Sequence, residues 1–149
     1  MTVVMINNNI YGMTGGQVAP TSPYHAYTRT SPYGNPEMPF DACSLAITCG
    51  ATYVARWTVG HSRQITKAFK EAIEHPGFSF LEILTPCPTQ TGRLMKKSAP
   101  ELLKHIRENV TKDADKVLVK DEVRVGRLHW GNRPEFTDVL SGLMKGDKE

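Results

Sequence analysis

Three short apolar runs set the frame of this chain: "VVMI" at 3–6, "TYVARWTV" at 52–59 and "FSFLEILT" at 78–85. Each is rich in β-branched or aromatic residues, and the first and third end at polar or proline-rich stretches, as buried strands do. Between the second and third lies "SRQITKAFKEAIEHPG", in which Ile65, Ala68, Phe69, Ala72 and Ile73 recur at helical spacing and Pro76 with Gly77 stops the helix. A shorter segment, "ACSLAITCG", follows Asp41, a residue suited to cap a helix, and closes at Gly50 in the left-handed conformation that glycine tolerates. The order strand, helix, strand, helix, strand implies a mostly parallel α/β sheet with helices on its faces.

Ligands of such sheets bind at the carboxyl ends of the strands, and the first strand delivers "NNNIYGMTGGQ", residues 7–17, there. Amide side chains, backbone carbonyls, hydroxyls and glycines together suit a hard cation carrying a phosphorylated cofactor, since magnesium takes a few protein oxygens and completes its shell from phosphate and water. No Asp or Glu precedes Glu37, so the carboxylate usual in such a site is missing. From the residues alone, a polar glycine turn after a strand is as readily an ordinary turn. Residues 12–39 carry repeated Gly, Pro, Ser, Thr and Asn without helical or strand period. A loop of that length is functional or disordered, and Tyr24, Tyr27 and Tyr33 argue for order.

Beyond Gly92 the pattern changes: "APELLKHIREN" predicts a helix, "KVLVKDEVRVGRLHW" a hairpin or loose pair of strands, and "RPEFTDVLSGLMKG" a terminal helix with Pro134 near its first turn. The chain divides on this reading into a cofactor-site region, 1–92, and a carboxyl-terminal helix and strand extension, 93–149, packed on it. A net charge of +3, spread evenly, gives no nucleic-acid surface, and "RLMKK" is the densest basic run. No apolar stretch reaches the roughly 20 residues that span a bilayer, and the start lacks signal-peptide character, so neither nucleic acid nor membrane is an expected partner and a cytoplasmic setting is expected.

Of the three cysteines, Cys43 and Cys49 are read as core filling and Cys87 stands alone between two prolines. His25, His61, His75, His105 and His129 have no metal-ligand spacing and are read as surface or capping residues. The charged segments 67–74 and 101–108 read as solvated helix faces with helical charge pairs.

The stretches "VVMINNNIYGMTGGQVAPTSP", "TSPYGNPEMPFDA", "GATYVARWTVGH", "GFSFLEILTPCPTQTGR" and "RPEF" together resemble, in order and across nearly the whole chain, the beta subunit of the 2-oxoacid:ferredoxin oxidoreductases, most of all the 2-oxoglutarate branch. The resemblance implies the carboxyl-terminal part of a thiamine-diphosphate-binding fold. The family motif opens with Gly-Asp-Gly and ends about thirty residues later in the amide-rich turn; only the ending is present here, so Met1 is read as an internal methionine or the product as lacking half a domain. The resemblance implies that Asn8 gives a side-chain oxygen and Ile10 a backbone carbonyl to Mg2+, and that Asn7, Tyr11, Gly12, Thr14, Gly15, Gly16 and Gln17 surround the cofactor, Tyr11 and Thr14 being equally at home as packing residues. Some members carry Lys where this chain has Gly15. Cys87 corresponds to the distant ligand of a four-iron four-sulfur cluster, which needs three further thiolates. Implied partners are an alpha subunit, ferredoxin, a 2-oxoacid and coenzyme A. No catalytic residue is assigned, and each cofactor is expected only in the intact subunit. The alternative is a non-catalytic remnant or assembly module without a complete cofactor site.

Overall fold

In the computed structural model, which describes residues 1–112 and 123–146, β1 (Thr2–Asn7), β3 (Ser79–Leu84) and β2 (Tyr53–Thr58) run parallel in that spatial order, and β6 (Gly126–Trp130) adds an antiparallel fourth strand beside β2. Phe80 stands opposite Val3 on one side and Val54 on the other. The central strands are buried on both faces, which is why their sequences read as continuous apolar runs. β1 lies at the edge and leaves Val3, Val4 and Ile6 partly exposed.

Helices cover the two faces. α2 (Ser62–Glu74) lays Ala68 and Ala72 on Tyr53, Ala55, Leu81 and Ile83, with Ile65 and Phe69 packed around them. The small alanines let the helix axis come close, and the exposed face carries the expected pairs Lys67–Glu71 and Lys70–Glu74. α1 (Ala42–Thr48) covers the opposite face, where Cys43 and Ala46 pack with Ala51 and Val54. Asp41 caps it, accepting from the N–H groups of Cys43 and Ser44 at 3.0 and 3.1 Å.

Three expectations change here. Cys43 is buried, but Cys49 is exposed: it is the C-cap of α1, where the chain turns outward before Gly50 (φ +93°). His75, read as a surface or capping residue, does stand at the C-cap of α2 but is only 6% exposed, because the end of α2 folds over the place where β2 and β6 meet, setting its ring against Trp130 (4.5 Å) and Tyr53 (5.8 Å). The loop 12–39 is ordered as expected, yet not through its tyrosines, for Tyr33 is 95% exposed; buried Ser22, Thr28 and Asn35 hold it by hydrogen bonds.

The remainder follows the sequence less closely. A short helix, α3 (Gln90–Met95), occupies a stretch in which none was expected. α4 (Ala99–Glu108) forms as read, with Glu101 accepting from the Ser98 N–H at 2.7 Å at its start. Of the strand pair expected over 116–130, residues 116–122 lie outside the described residues. Within the rest, β5 (Val123–Arg124) runs parallel to β4 (Val110–Thr111), while β6 joins the main sheet. Gly126, at φ +133°, separates the two directions. α5 (Phe136–Lys145) forms as read, with Phe136, Leu143 and Met144 exposed. Among the described residues no helix is long and apolar enough to cross a membrane.

Candidate functional site

β1 carries Asn7 to the carboxyl edge of the sheet, where its carbonyl accepts from the Thr85 N–H at 2.9 Å. The chain then closes on itself. Tyr11 N–H donates to the Gln17 carbonyl (3.1 Å), Gly16 N–H to the Tyr11 carbonyl (2.8 Å) and Gly15 N–H to the Gly12 carbonyl (3.3 Å). Gly15 and Gly16 both take positive φ, which side chains resist. Thr14 Oγ1 donates to Gln17 Oε1 and Gln17 Nε2 to the Thr14 carbonyl, each at 2.7 Å, so these two side chains rigidify the turn. Ile10 is buried beneath it and the Tyr11 ring is exposed. The long loop straps the turn from outside, through Arg29 N–H to the Gly16 carbonyl (2.9 Å) and Ser22 Oγ to the Asn9 carbonyl (2.6 Å).

The first two amides have different positions. Asn7 is buried; its Nδ2 donates to Glu82 Oε1 (2.8 Å) and its Oδ1 accepts from Asn9 N–H and Thr21 Oγ1 (both 2.9 Å). With both lone pairs of Oδ1 taken, Asn7 anchors the turn to the sheet. Asn8 is half-buried and its side chain makes no hydrogen bond among the described residues. Nor does a described N–H reach the Ile10 carbonyl. Both oxygens are open to a cation.

The loop after β3 leans on the same turn. Cys87 Sγ lies 2.9 Å from where a β-carbon on Gly12 would stand, and Gln90 Oε1 lies 3.0 Å from the corresponding point on Gly16. Gln90 N–H points to Cys87 Sγ at 3.4 Å. Asn8, Gly12, Gly16, Cys87 and Gln90 therefore converge at one edge of the sheet, and α3 explains how Gln90, which sequence reasoning missed, arrives there.

Beneath them is a second feature absent from the sequence reading. Arg56 and Glu82, on adjacent strands in direct register, form a buried ion pair, Glu82 being 2% and Arg56 6% exposed. Arg56 also pairs with Asp41 at the start of α1, and the Cys43 thiol donates to Glu82 Oε2 at 3.3 Å. Burial opposes the charge on Asp41, but Arg56 and the hydrogen bonds from Ser44 prevail and hold its carboxyl below the usual range. Burial pushes the Cys43 thiol far up, Arg56 opposing and Glu82 adding to it, so it remains a neutral donor. The available signal was a pair of opposite charges in otherwise apolar strands.

Over residues 1–83 the chain matches the family described as thiamine pyrophosphate enzyme, C-terminal TPP binding domain. The chain belongs to that family. The beta-subunit resemblance is also borne out: the chain is 41% identical to the 2-oxoglutarate synthase subunit KorB of Methanocaldococcus jannaschii, over 97% of this chain and 56% of that one. It is 54% identical to the subunit of the same name from Archaeoglobus fulgidus, over 73% of this chain and 39% of the relative. Among solved structures it resembles the 2-oxoglutarate:ferredoxin oxidoreductase from Magnetococcus marinus with 2-oxoglutarate, coenzyme A and succinyl-CoA bound, with TM-score 0.76 and 28% identity over 98% of this chain and 52% of the other. The chain spans about half the length of the relatives it matches.

As a TPP-binding domain, the turn fits the cofactor in part. Two glycines with positive φ, Gly12 with no room for a side chain, and the oxygens of Asn8 and Ile10 suit a magnesium diphosphate. A carboxylate ligand is lacking before Glu37. An iron–sulfur cluster does not fit the described residues: Cys87 is one thiolate of the four required, and no group of three metal-binding side chains occurs among them.

Proposed function

We propose that this chain forms the diphosphate-binding half of the cofactor site in the beta subunit of a 2-oxoacid:ferredoxin oxidoreductase, with 2-oxoglutarate as the substrate its relatives' names favour. The reaction is oxidative decarboxylation to an acyl-coenzyme A, with electrons passed to ferredoxin, in an assembly with an alpha subunit in the cytoplasm. The observation that carries this reading is the pair of oxygens without a hydrogen-bond partner among the described residues, on the Asn8 side chain and the Ile10 carbonyl, beside a turn that its backbone bonds and the Thr14 and Gln17 side chains hold in shape.

Thiamine diphosphate, when bound, supplies the electron sink for decarboxylation. This chain's residues position it. Asn8 and Ile10 hold Mg2+, residues 12–17 lie along the diphosphate, and Tyr11, Thr14 and Gln17 border it. Asn7 sets the height of the turn by its bond to Glu82. Cys87 serves as a cluster ligand only where three thiolates come from outside the described residues. The missing carboxylate favours a second reading, an assembly module that keeps the fold without a complete site.

The test is calorimetry with thiamine diphosphate and Mg2+ on the chain assembled with an alpha subunit and a polypeptide carrying the Gly-Asp-Gly half. Binding in the assembly that is lost in Asn8→Ala supports the enzyme reading. Binding untouched by Asn8→Ala overturns the assignment, and no binding in the complete assembly leaves the module reading.

A further inference from the structure

A second concave feature lies at the carboxyl end of β2, separate from the turn after β1. Val59 and Gly60 form its floor, and Leu103, Lys104, Arg107 and Glu108 of α4 form its wall, around an open cleft of about 660 Å3. That volume falls within the range of small-molecule sites, roughly 300–1,000 Å3. Arg107 is laid into it by close packing: its Cβ is 2.9 Å from where a β-carbon on Gly60 would be, so only glycine leaves room for its stem.

Three basic groups gather here. His61 follows Gly60 directly, its Nδ1 2.8 Å from Thr58 Oγ1 and its ring 5.7 Å from that of Trp57. Lys112 reaches over the same Trp57 ring, with Nζ 6.0 Å from its centre. Burial, and then the charges of Arg107 and Lys112, lower the pKa of the His61 imidazole from its ordinary value. The acidic member, Glu108, is turned to Lys104 at 4.0 Å. Among the described residues no carboxylate pairs with Arg107 or Lys112. The lining is otherwise apolar, from Val59 and Leu103.

We propose that this cleft binds the phosphate or diphosphate group of a small organic molecule, Arg107 and Lys112 taking the anion and Val59 with Leu103 taking an adjoining apolar part. A guanidinium on a fixed stem presents paired donors to phosphate oxygens, and a concave wall admits a small ligand. The inference is independent of the thiamine diphosphate reading, since it uses none of the residues of the turn.

The experiment titrates inorganic pyrophosphate into the 149-residue chain in EDTA at constant ionic strength, reading heat of binding and the His61 ring resonances by NMR. Binding should occur, the His61 titration should move to higher pH as the anion offsets Arg107 and Lys112, and Arg107→Gln should weaken affinity about tenfold. Lys70→Gln, on the exposed face of α2, should change neither reading. If Arg107→Gln fails to fold, Lys112→Gln, at an exposed position, carries the same test with a smaller loss. The proposal is overturned if His61 does not respond, if succinate binds equally well, or if Asn8→Ala abolishes binding while the cleft variants do not, since the anion then sits in the cofactor turn.

Discussion

Cys87 Sγ fills the space that a side chain on Gly12 would need, 2.9 Å from the position of its β-carbon. The loops after β1 and β3 are thus packed against each other through one sulfur and one missing methyl group.

This contact predicts a compensating pair. Gly12→Ala should destabilise the chain by about 1–3 kcal/mol through overpacking, and Cys87→Ala, which leaves Asn8 Nδ2 at 3.7 Å as the nearest atom, should remove most of that penalty in the double variant. Urea denaturation of the four proteins measures the coupling. Additive effects would mean that the two loops are not in contact.

Arg56 and Glu82 predict a larger effect. Arg56→Met strands the Glu82 carboxylate, 2% exposed, with only Asn7 and the Cys43 thiol as donors, and should cost about 3–5 kcal/mol. Adding Glu82→Leu should recover part of this while loosening Asn7, seen as faster amide exchange at Asn9, whose N–H donates to Asn7 Oδ1. A loss below about 0.5 kcal/mol in Arg56→Met would place the pair in solvent.

The acid limb of stability should include Asp41. Its carboxyl is held below the ordinary value of 3.8, so its contribution is fully present above that value and is lost as pH falls through the lower folded-state value. In Asp41→Asn, which can still cap α1 but cannot pair as an anion with Arg56, stability should therefore fall less steeply below pH 3.8 than in the parent. Parallel curves from thermal melts across that window would rule out the contribution.

For the cofactor, the isolated chain should bind thiamine diphosphate with Mg2+ more weakly than about 10 μM, since a carboxylate ligand is absent. In the assembled enzyme, Asn8→Ala should lose activity and regain part of it with excess Mg2+ and cofactor, because it weakens a site that mass action can refill. Steady-state rates across a cofactor series check this; failure of rescue at any concentration would mean that Asn8 acts on something other than binding.

The sequence by itself determined the order of strands and helices as far as β3, the Asp41 cap, the stop at Pro76–Gly77 and the tight glycine turn after β1, since each depends on local periodicity or on backbone freedom that a few neighbouring residues set. The residues by themselves placed Asn7 and Asn8 together at a strand end, and only the family resemblance set Asn8 apart as a magnesium ligand. Only the tertiary structure decided that Asn7 is tied to Glu82 while Asn8 is left uncommitted, because that depends on which side chain the neighbouring strand, 75 residues away in the chain, brings opposite. The same holds for Arg56 beside Glu82, which a strand register sets, and for His75, which is buried only because β6 returns Trp130 across the end of α2. Cys43 and Cys49 looked alike six residues apart. Their difference is one of direction, one facing the sheet and the other standing at the turn that leaves it, and direction is fixed by packing.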